Sequence, residues 1–166
     1  RDKPAALKLA EQIFKREPSL HEYNELRRLA GKAWPELRRR LLADLERRQL
    51  AWLLIDIYLQ EKEVGPALAV VQTEWGRRSG RKLEVAKAAE KEHPREAKDL
   101  YREAAEALIE ERNRDAYRSA CGHLRKVREL SKRLRENGTW DEYLTALRER
   151  YRPLRALREE LEQAGL

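Results

Sequence analysis

The most constraining feature of this sequence is its closely spaced helix start and stop signals. Pro18, Gly31, Gly76, Pro94 and Pro153 interrupt segments in which apolar residues recur at helical spacing. Each such segment predicts one amphipathic helix. Glu, Arg, Leu and Ala dominate the composition, and only seven Gly and six Pro are present. This composition favours helices and leaves little room for a sheet, so the sequence predicts an all-α protein of about ten antiparallel helices.

The boundaries of these helices follow from their capping signals. The predicted helices run from Pro4 to Arg16, from a Ser19 cap to Gly31, from Pro35 to a break near Gln49, from Leu50 to Glu61, from Gly65-Pro66 to Trp75-Gly76, from the end of a 75–82 loop to about His93, from Pro94 to Arg112, from an Asn113 turn to Glu136, from a Thr139 cap to Pro153, and from Pro153 onward. Ser19 with Glu22, and Thr139 with Glu142, match the capping-box pattern. Asn137-Gly138 is predicted to supply a left-handed residue that closes the eighth helix.

The fourth predicted helix is apolar around most of its circumference. Its segment LAWLLIDIYL, residues 50–59, is too short to cross a membrane and is interrupted by Asp56. A helix that is apolar on most sides packs between neighbours, so it is expected at a central position. Asp56 is expected to face water or an arginine.

A local pattern recurs in which an aromatic residue or Val is followed three residues later by a small or apolar one. It occurs at Tyr23/Leu26, Val64/Ala67, Tyr117/Ala120 and Tyr143/Ala146. This pattern is typical of helix pairs stacked in a tetratricopeptide-like α-solenoid. A compact helical bundle is the alternative. Residues 1–166 are interpreted as one helical-repeat-like domain, and the absence of an initiator Met suggests a piece of a longer protein.

The excess positive charge is confined to one segment. Residues 112–135 contain nine Lys or Arg and two acids, a net charge of +7, which equals that of the whole chain. Within it, a basic stripe of five residues spans about 80° of the helix circumference. The members of this basic stripe are Arg114, Arg118, Arg125, Arg128 and Lys132. The stripe predicts contact with a phosphate backbone or an acidic protein, or a solvated face paired with acids of the preceding helix.

A second group of basic residues lies in the loop WGRRSGRK, residues 75–82. Its cations are Arg77, Arg78, Arg81 and Lys82. They could hold phosphates while Trp75 stacks on a base, or the loop could connect two helices with Trp75 buried. A third basic group, formed by Arg27, Arg28 and residues 38–40, has the same two interpretations.

Cys121 and His123 form a Cys-x-His pair, which is half of a common zinc motif. A zinc site needs four ligands, and no second Cys is present. Residues two apart on a helix point about 200° apart, so the two side chains should diverge and Cys121 should pack in the core. The sequence also has no glycine-rich phosphate loop, nucleophile elbow or metal-binding His-Glu helix. The chain is therefore expected to be no enzyme and to hold no cofactor or metal.

Several segments together are similar to a known family. These are ALKLAEQIFKREPSLHEYNELRRLA (6–30), WPELRRRLLADL (34–45), LLIDIYLQEKEVGPALAVV (53–71), HPREAKDLYREAAEALIEERNRDAYRSA (93–120) and WDEYLTALRERYRPLRALREELEQAGL (140–166). They resemble the helical C-terminal region of bacterial SWIM zinc finger proteins. That family carries a zinc module, Cys-x-Cys then Cys-x-His, nearer the N-terminus. The resemblance implies that this chain is the helical scaffold downstream of that module, which the chain does not contain.

These observations predict a non-enzymatic scaffold that binds a protein partner. The alternative is a nucleic-acid-binding domain that uses the basic segment 112–135, with its basic stripe, and the 77–82 loop. A single Cys excludes an intrachain disulfide and fits a reducing cytoplasm, where we expect the protein without membrane contact. The partner and the oligomeric state are not specified by the sequence.

Overall fold

A computed structural model describes residues 3–166, which form eleven α-helices and one 3-10 helix. The α-helices are α1 (Lys3–Arg16), α2 (Leu20–Ala30), α3 (Trp34–Arg47), α4 (Ala51–Gln60), α5 (Val64–Gln72), α6 (Glu74–Arg77), α7 (Lys82–Ala89), α8 (Pro94–Glu110), α9 (Arg114–Arg133), α10 (Asn137–Arg150) and α11 (Arg155–Gln163). The 3-10 helix, Gly31–Ala33, joins α2 to α3. The described part of the chain contains no strand, which confirms the prediction of an all-α protein of about ten helices.

The chain divides into two compact units. Unit 1, Arg1–Arg81, contains α1 to α6, and unit 2, Lys82–Leu166, contains α7 to α11. Each unit is described by itself. The tetratricopeptide-like solenoid and the single repeat domain stay predictions.

In unit 1, α4 is the central helix, as its apolar sequence predicts. It packs against α2, α3, α5 and α6. Its buried residues are Ala51, Leu53, Leu54, Ile55 and Ile57. Trp52 on the same helix keeps 38% of its surface exposed. Asp56, the one acid within α4, accepts two hydrogen bonds from Arg81, at 2.7 and 3.0 Å. The prediction that Asp56 faces water or an arginine is therefore confirmed.

In unit 2, the long helices α8 and α9 form the most extensive helix pair, and α10 and α11 also pack on α9. The buried face of α9 consists of Ala116, Tyr117, Ala120, Cys121, Leu124, Val127, Leu130 and Ser131. Tyr117, Ala120, Cys121, Leu124 and Val127 of this face recur at helical spacing in the sequence. The recurring pattern holds less well on α10, where Ala146 is exposed and Tyr143 is half-buried. There, the buried residues of the helix are Trp140 and Leu147.

Four helices are followed, two residues after their last residue, by a residue that is not glycine but adopts a positive φ. These residues are Gln49, Lys62, Arg112 and Arg135, with φ between 55° and 60°. After α9, for example, Arg135 N–H donates to the carbonyl of Lys132 and Glu136 N–H donates to the carbonyl of Ser131. This is the Schellman arrangement, which satisfies the last carbonyls of a helix. Three residues connect the helices at each of these four ends.

The predicted boundary between the eighth and ninth helices is wrong by a few residues. Asn137 and Gly138 were expected to close the eighth helix, and Thr139 to cap the ninth. In the structure α9 ends at Arg133, Arg135 supplies the left-handed residue, and α10 already begins at Asn137. The reversal therefore occurs two residues earlier than the Asn-Gly signal indicates.

The predicted fifth helix is also interrupted earlier than expected. It ends at Gln72, and Thr73 accepts a hydrogen bond from Gly76 N–H to start the short helix α6. Part of the predicted 75–82 loop is therefore helical. A Cβ at Gly76 would lie 1.8 Å from the carbonyl oxygen of Val70, so only glycine fits this corner.

No helix formed by residues 3–166 is long and apolar enough to span a lipid bilayer.

Candidate functional site

A groove of about 460 Å³ lies between α1 and α3 of unit 1. Its apolar lining includes Phe14 from α1 and Leu37 and Leu41 from α3, all of which are buried. Leu37 and Leu41 lie one turn apart and therefore project from the same face of α3. The groove thus combines a narrow apolar floor with two helical walls, a form that suits a ligand with apolar side chains.

The rim of this groove is mainly basic. The charged residues that line it are Glu11, Lys15, Arg39, Arg40, Asp44 and Arg47. These four cations and two acids give the lining a net charge of +2. The side chains of Arg39, Arg40 and Arg47 are 75%, 59% and 79% exposed, so their guanidinium groups are in water.

The ion pairs of the rim either join residues within one helix or have a long distance between their charged atoms. Arg39 pairs with Glu36 at 2.7 Å, one turn earlier on α3, and Arg47 pairs with Asp44. Arg40 lies 3.9 Å from Glu11 across the groove, which is at the limit of an ion pair. Exposed pairs of this kind contribute little to stability. These arginines therefore remain free to exchange their partners for acids of a ligand.

The basic stripe predicted on α9 is present, and its first two members contact α11. Arg114 pairs with Glu159 at 2.7 Å and with Glu160 at 3.0 Å. Arg118 lies 3.5 Å from the other oxygen of Glu160, whose side chain is only 4% exposed. A carboxylate at this depth requires a cationic partner, so these arginines hold α11 on α9.

The next two members of the basic stripe contact the two residues that directly follow α11. Arg125 donates to the carbonyl oxygen of Ala164 at 3.2 Å, and Arg128 donates to that of Gly165 at 2.8 Å. The last carbonyls of a helix carry a partial negative charge that favours cations. Lys132, the fifth member, is exposed. The acids that meet the stripe thus come from α11 and from α9 itself, where Asp115 lies 3.4 Å from Arg118. The acids of α8 that the sequence offered as partners have other contacts.

Those α8 acids contact other parts of unit 2. Glu103 pairs with Lys82 at 2.8 Å, Glu106 accepts from Tyr143, and Glu110 accepts from Tyr151.

The basic residues of the 75–82 segment have different surroundings. Arg81 is bound to Asp56, and Lys82 to Glu103. Arg77 and Arg78 are exposed at the end of α6, and Trp75 is half-buried. In the third basic group, Arg38 pairs with Glu61 at 2.6 Å and with Glu63 at 2.9 Å.

Cys121 and His123 point to different neighbours, as their helical spacing predicts. Burial raises the pKa of the Cys121 thiol to about 11, and nearby Glu160 acts in the same direction. The centroid of the His123 ring lies 5.9 Å from the centroid of the Tyr101 ring on α8. Burial lowers the pKa of His123. Residues 3–166 contain no group of three or more His, Cys, Asp or Glu placed to hold a metal ion.

A set of hydrogen bonds between tyrosine and glutamate was not visible in the sequence. The hydroxyls of Tyr23, Tyr101, Tyr143 and Tyr151 donate to Glu61, Glu90, Glu106 and Glu110, at 2.6 to 3.0 Å. Each bond joins two separate segments of one unit, and Glu61, Glu90 and Tyr151 each directly follow the last residue of a helix. Burial, followed by the hydrogen bond and the nearby carboxylate, raises the pKa of Tyr23 and Tyr101 well above its usual range. No local motif could have found these pairs, because the partners are distant in sequence.

Comparison with known proteins gives one informative match. A segment of 59 residues, 36% of this chain, is 37% identical to "Uncharacterized protein YwqB" of Bacillus subtilis (strain 168). The match spans 11% of that protein. No family model matches the chain, and no solved structure matches it.

Proposed function

We propose that this chain is a non-enzymatic helical scaffold that binds a protein partner in the groove between α1 and α3. The observation that carries the proposal is the groove itself, with buried Phe14, Leu37 and Leu41 as its floor and arginines 59% to 79% exposed on its rim. An apolar centre with a polar, hydrated rim is typical of surfaces that bind proteins. The absence of a recognisable catalytic motif in the sequence supports a non-enzymatic role.

The proposal also covers the setting of the scaffold. We propose that it acts downstream of a zinc-binding SWIM module in a cytoplasmic protein. The support is the resemblance of residues 6–30, 34–45, 53–71, 93–120 and 140–166 to the helical region of that family. Zinc would then be bound by the module, while Cys121 packs between helices of the scaffold.

A tetratricopeptide-like stacking of helix pairs is the fold that we propose for the scaffold. Its support is the sequence separation of side chains that bond across helices. Tyr23 bonds with Glu61 and Asn24 with Gln60 in unit 1, and Lys98 with Glu136 and Tyr143 with Glu106 in unit 2; these pairs are 36 to 38 residues apart. Repeats of about 34 to 47 residues place equivalent helices side by side at such separations.

The test is site-specific photo-crosslinking of the full-length protein in the cells that express it. A photoreactive residue is placed at Arg39 on the groove rim or at Lys87, an exposed residue of α7 in unit 2. We expect a crosslinked protein of defined mass from position 39 and none from position 87. Equal products at both positions, or no protein product at position 39, would exclude the groove as a partner site.

Nucleic-acid binding is the second candidate, and the observation that favours it is the exposure of Arg77 and Arg78 beside Trp75. Its affinity should fall steeply with salt, and Arg77→Glu with Arg78→Glu should weaken it. The basic stripe gives this candidate less support, since four of its five members contact α11 or the two residues that follow it. If the protein does not bind DNA or RNA at low salt, or if this double substitution leaves the binding unchanged, the second candidate is ruled out.

A further inference from the structure

We infer that the α1–α3 groove receives an acidic amphipathic helix. This inference rests on the proposed function and adds the chemistry of the partner. Two independent features of the structure carry it: the charge of the groove rim and the way that unit 2 seats its own helix α11.

The first feature is charge complementarity. Four cations and two acids line the groove, and Arg40 and Glu11 meet only at 3.9 Å. Lys15 and Arg47 lie on opposite walls, with Arg39 and Arg40 on the α3 side. A ligand whose apolar residues enter the floor therefore brings its flanks next to guanidinium and ammonium groups. Carboxylates on those flanks gain charge-assisted hydrogen bonds, whereas basic flanks are repelled.

The second feature is the seating of α11 on α9 in unit 2. The segment LREEL, residues 157–161, turns Leu157 and Leu161 into the core, where each is 1% exposed. Glu159 and Glu160, between these leucines, meet Arg114 and Arg118. Apolar residues one turn apart with acids beside them thus satisfy a basic helical surface in this same chain. The groove of unit 1 has the complementary elements, since Leu37 and Leu41 are one turn apart and arginines lie beside them.

The experiment measures binding of a designed peptide to the full 166-residue chain by fluorescence anisotropy. The probe is a peptide of about 18 residues, long enough to form a helix, that repeats the pattern Leu-x-Glu-Glu-Leu. One control peptide replaces every Glu with Lys, and a second keeps the composition but scrambles the order. We expect the acidic amphipathic peptide to bind, and its affinity to fall as salt screens the rim charges.

The protein variants test the place of binding. Arg39→Glu with Arg40→Glu should weaken binding of the acidic peptide by about tenfold, because two attractions become repulsions. Lys87→Glu with Lys91→Glu makes the same charge change at exposed positions of unit 2 and should leave binding unchanged. The milder pair Arg39→Gln and Arg40→Gln should weaken binding less while keeping the helical circular dichroism signal. This milder pair keeps the test valid if charge reversal unfolds α3.

Four outcomes would overturn the inference. Equal binding of the scrambled peptide would reduce the effect to bulk charge, and binding of the lysine peptide would reverse the charge argument. Crosslinks from position 39 that join two copies of this chain would make the groove a self-association surface. If position 39 captures a partner protein but the acidic peptide does not bind, the proposed scaffold stands and only the partner chemistry fails. If no protein is crosslinked from position 39, the proposed function itself is excluded, whatever the peptide does.

Discussion

The two basic helical surfaces of this protein differ in what covers them. On α9, the arginines meet acids of α11 and carbonyls of the two residues after it, and the side chain of Glu160 is 4% exposed. On the rim of the α1–α3 groove, the arginines pair within α3 or at long distance and are mostly in water. On α9 the arginines thus bind the chain's own helix α11, and we propose that those of α3 bind a helix of a partner.

The largest expected effect is a loss of stability in unit 1, which carries one of the two basic surfaces compared above. Gly76→Ala places a Cβ against the backbone of Val70, which cannot move as a flexible side chain could. We expect the free energy of unfolding to fall by about 3 kcal/mol. Denaturant unfolding and hydrogen exchange of residues 3–81 measure this loss.

The matched control for that substitution is Gly122→Ala in α9. A Cβ there meets nothing within 4 Å, and alanine is the better helix former, so a gain of about 0.5–1 kcal/mol is expected. An unchanged stability in Gly76→Ala would show that the α5–α6 corner relaxes without cost.

The second prediction concerns the contact between α9 and α11. Arg114→Ala with Arg118→Ala leaves Glu160 without its cations, so α11 should open more often and expose Cys121. We expect thiol labelling of Cys121 at pH 8 to become about tenfold faster, since local opening limits the rate. Mass spectrometry follows the reaction at this cysteine.

Lys87→Ala with Arg152→Ala removes the same charge from exposed positions of unit 2. Its labelling rate should equal that of the wild type. A labelling rate that stays slow in the Arg114/Arg118 variant would mean that apolar packing alone holds α11.

The third prediction compares the tyrosine–glutamate bonds of the two units. In unit 1, Glu61 also binds Arg38, so Tyr23→Phe leaves the carboxylate with a cation and should cost about 1 kcal/mol. In unit 2, the bond from Tyr143 is the contact that joins Glu106 to α10, so Tyr143→Phe should cost about 2 kcal/mol. Equilibrium urea unfolding of both variants decides the order. A larger loss of unfolding free energy in Tyr23→Phe than in Tyr143→Phe would contradict this prediction.

The fourth prediction concerns acid stability in unit 2. Burial alone would raise the pKa of Glu90, but hydrogen bonds from Tyr101 and Lys126 outweigh it and lower the pKa. A lowered carboxyl pKa contributes stability above the unfolded-state value, and this contribution is lost as the pH falls through the folded-state value. Glu90→Gln should therefore flatten the decline in unfolding free energy below about pH 5. Glu92→Gln, at an exposed neighbour, is the control, and equal slopes in both variants would contradict the prediction.

The smallest expected effect strengthens both units alike. Gln49 in unit 1 and Arg135 in unit 2 hold left-handed conformations that cost an L-residue energy. Gln49→Gly and Arg135→Gly should each stabilise the protein by about 0.5–1 kcal/mol. Thermal unfolding measures the gain. A loss in either variant would indicate that the replaced side chain contributes more than the backbone strain costs.

The sequence predicted the helices well because their signals are local. Ser19 caps α2, Pro35 lies in the first turn of α3 and Asn113 caps α9, each within its predicted segment. The errors arose where tertiary geometry overrides a local signal. Arg135, a residue with no preference for positive φ, ends α9 in place of Asn137-Gly138.

The candidate sites were less predictable, because their partners are distant in sequence. The basic stripe of α9 was visible from helical spacing alone. Its contacts with Glu159 and Glu160 were not, since these acids lie more than forty residues away. The α1–α3 groove could not be predicted either, because α2 separates its two walls in the sequence and they become neighbours only in the folded unit.

The short reversals at Gln49, Lys62, Arg112 and Arg135 have a consequence for how the protein forms. Each joins two helices through three residues, so the contacts that they create are close in sequence. Chains of low contact order fold rapidly, because little loop-closure entropy is lost before the contacts form. Each helix hairpin can therefore assemble as it leaves the ribosome, before the later helices have been synthesised.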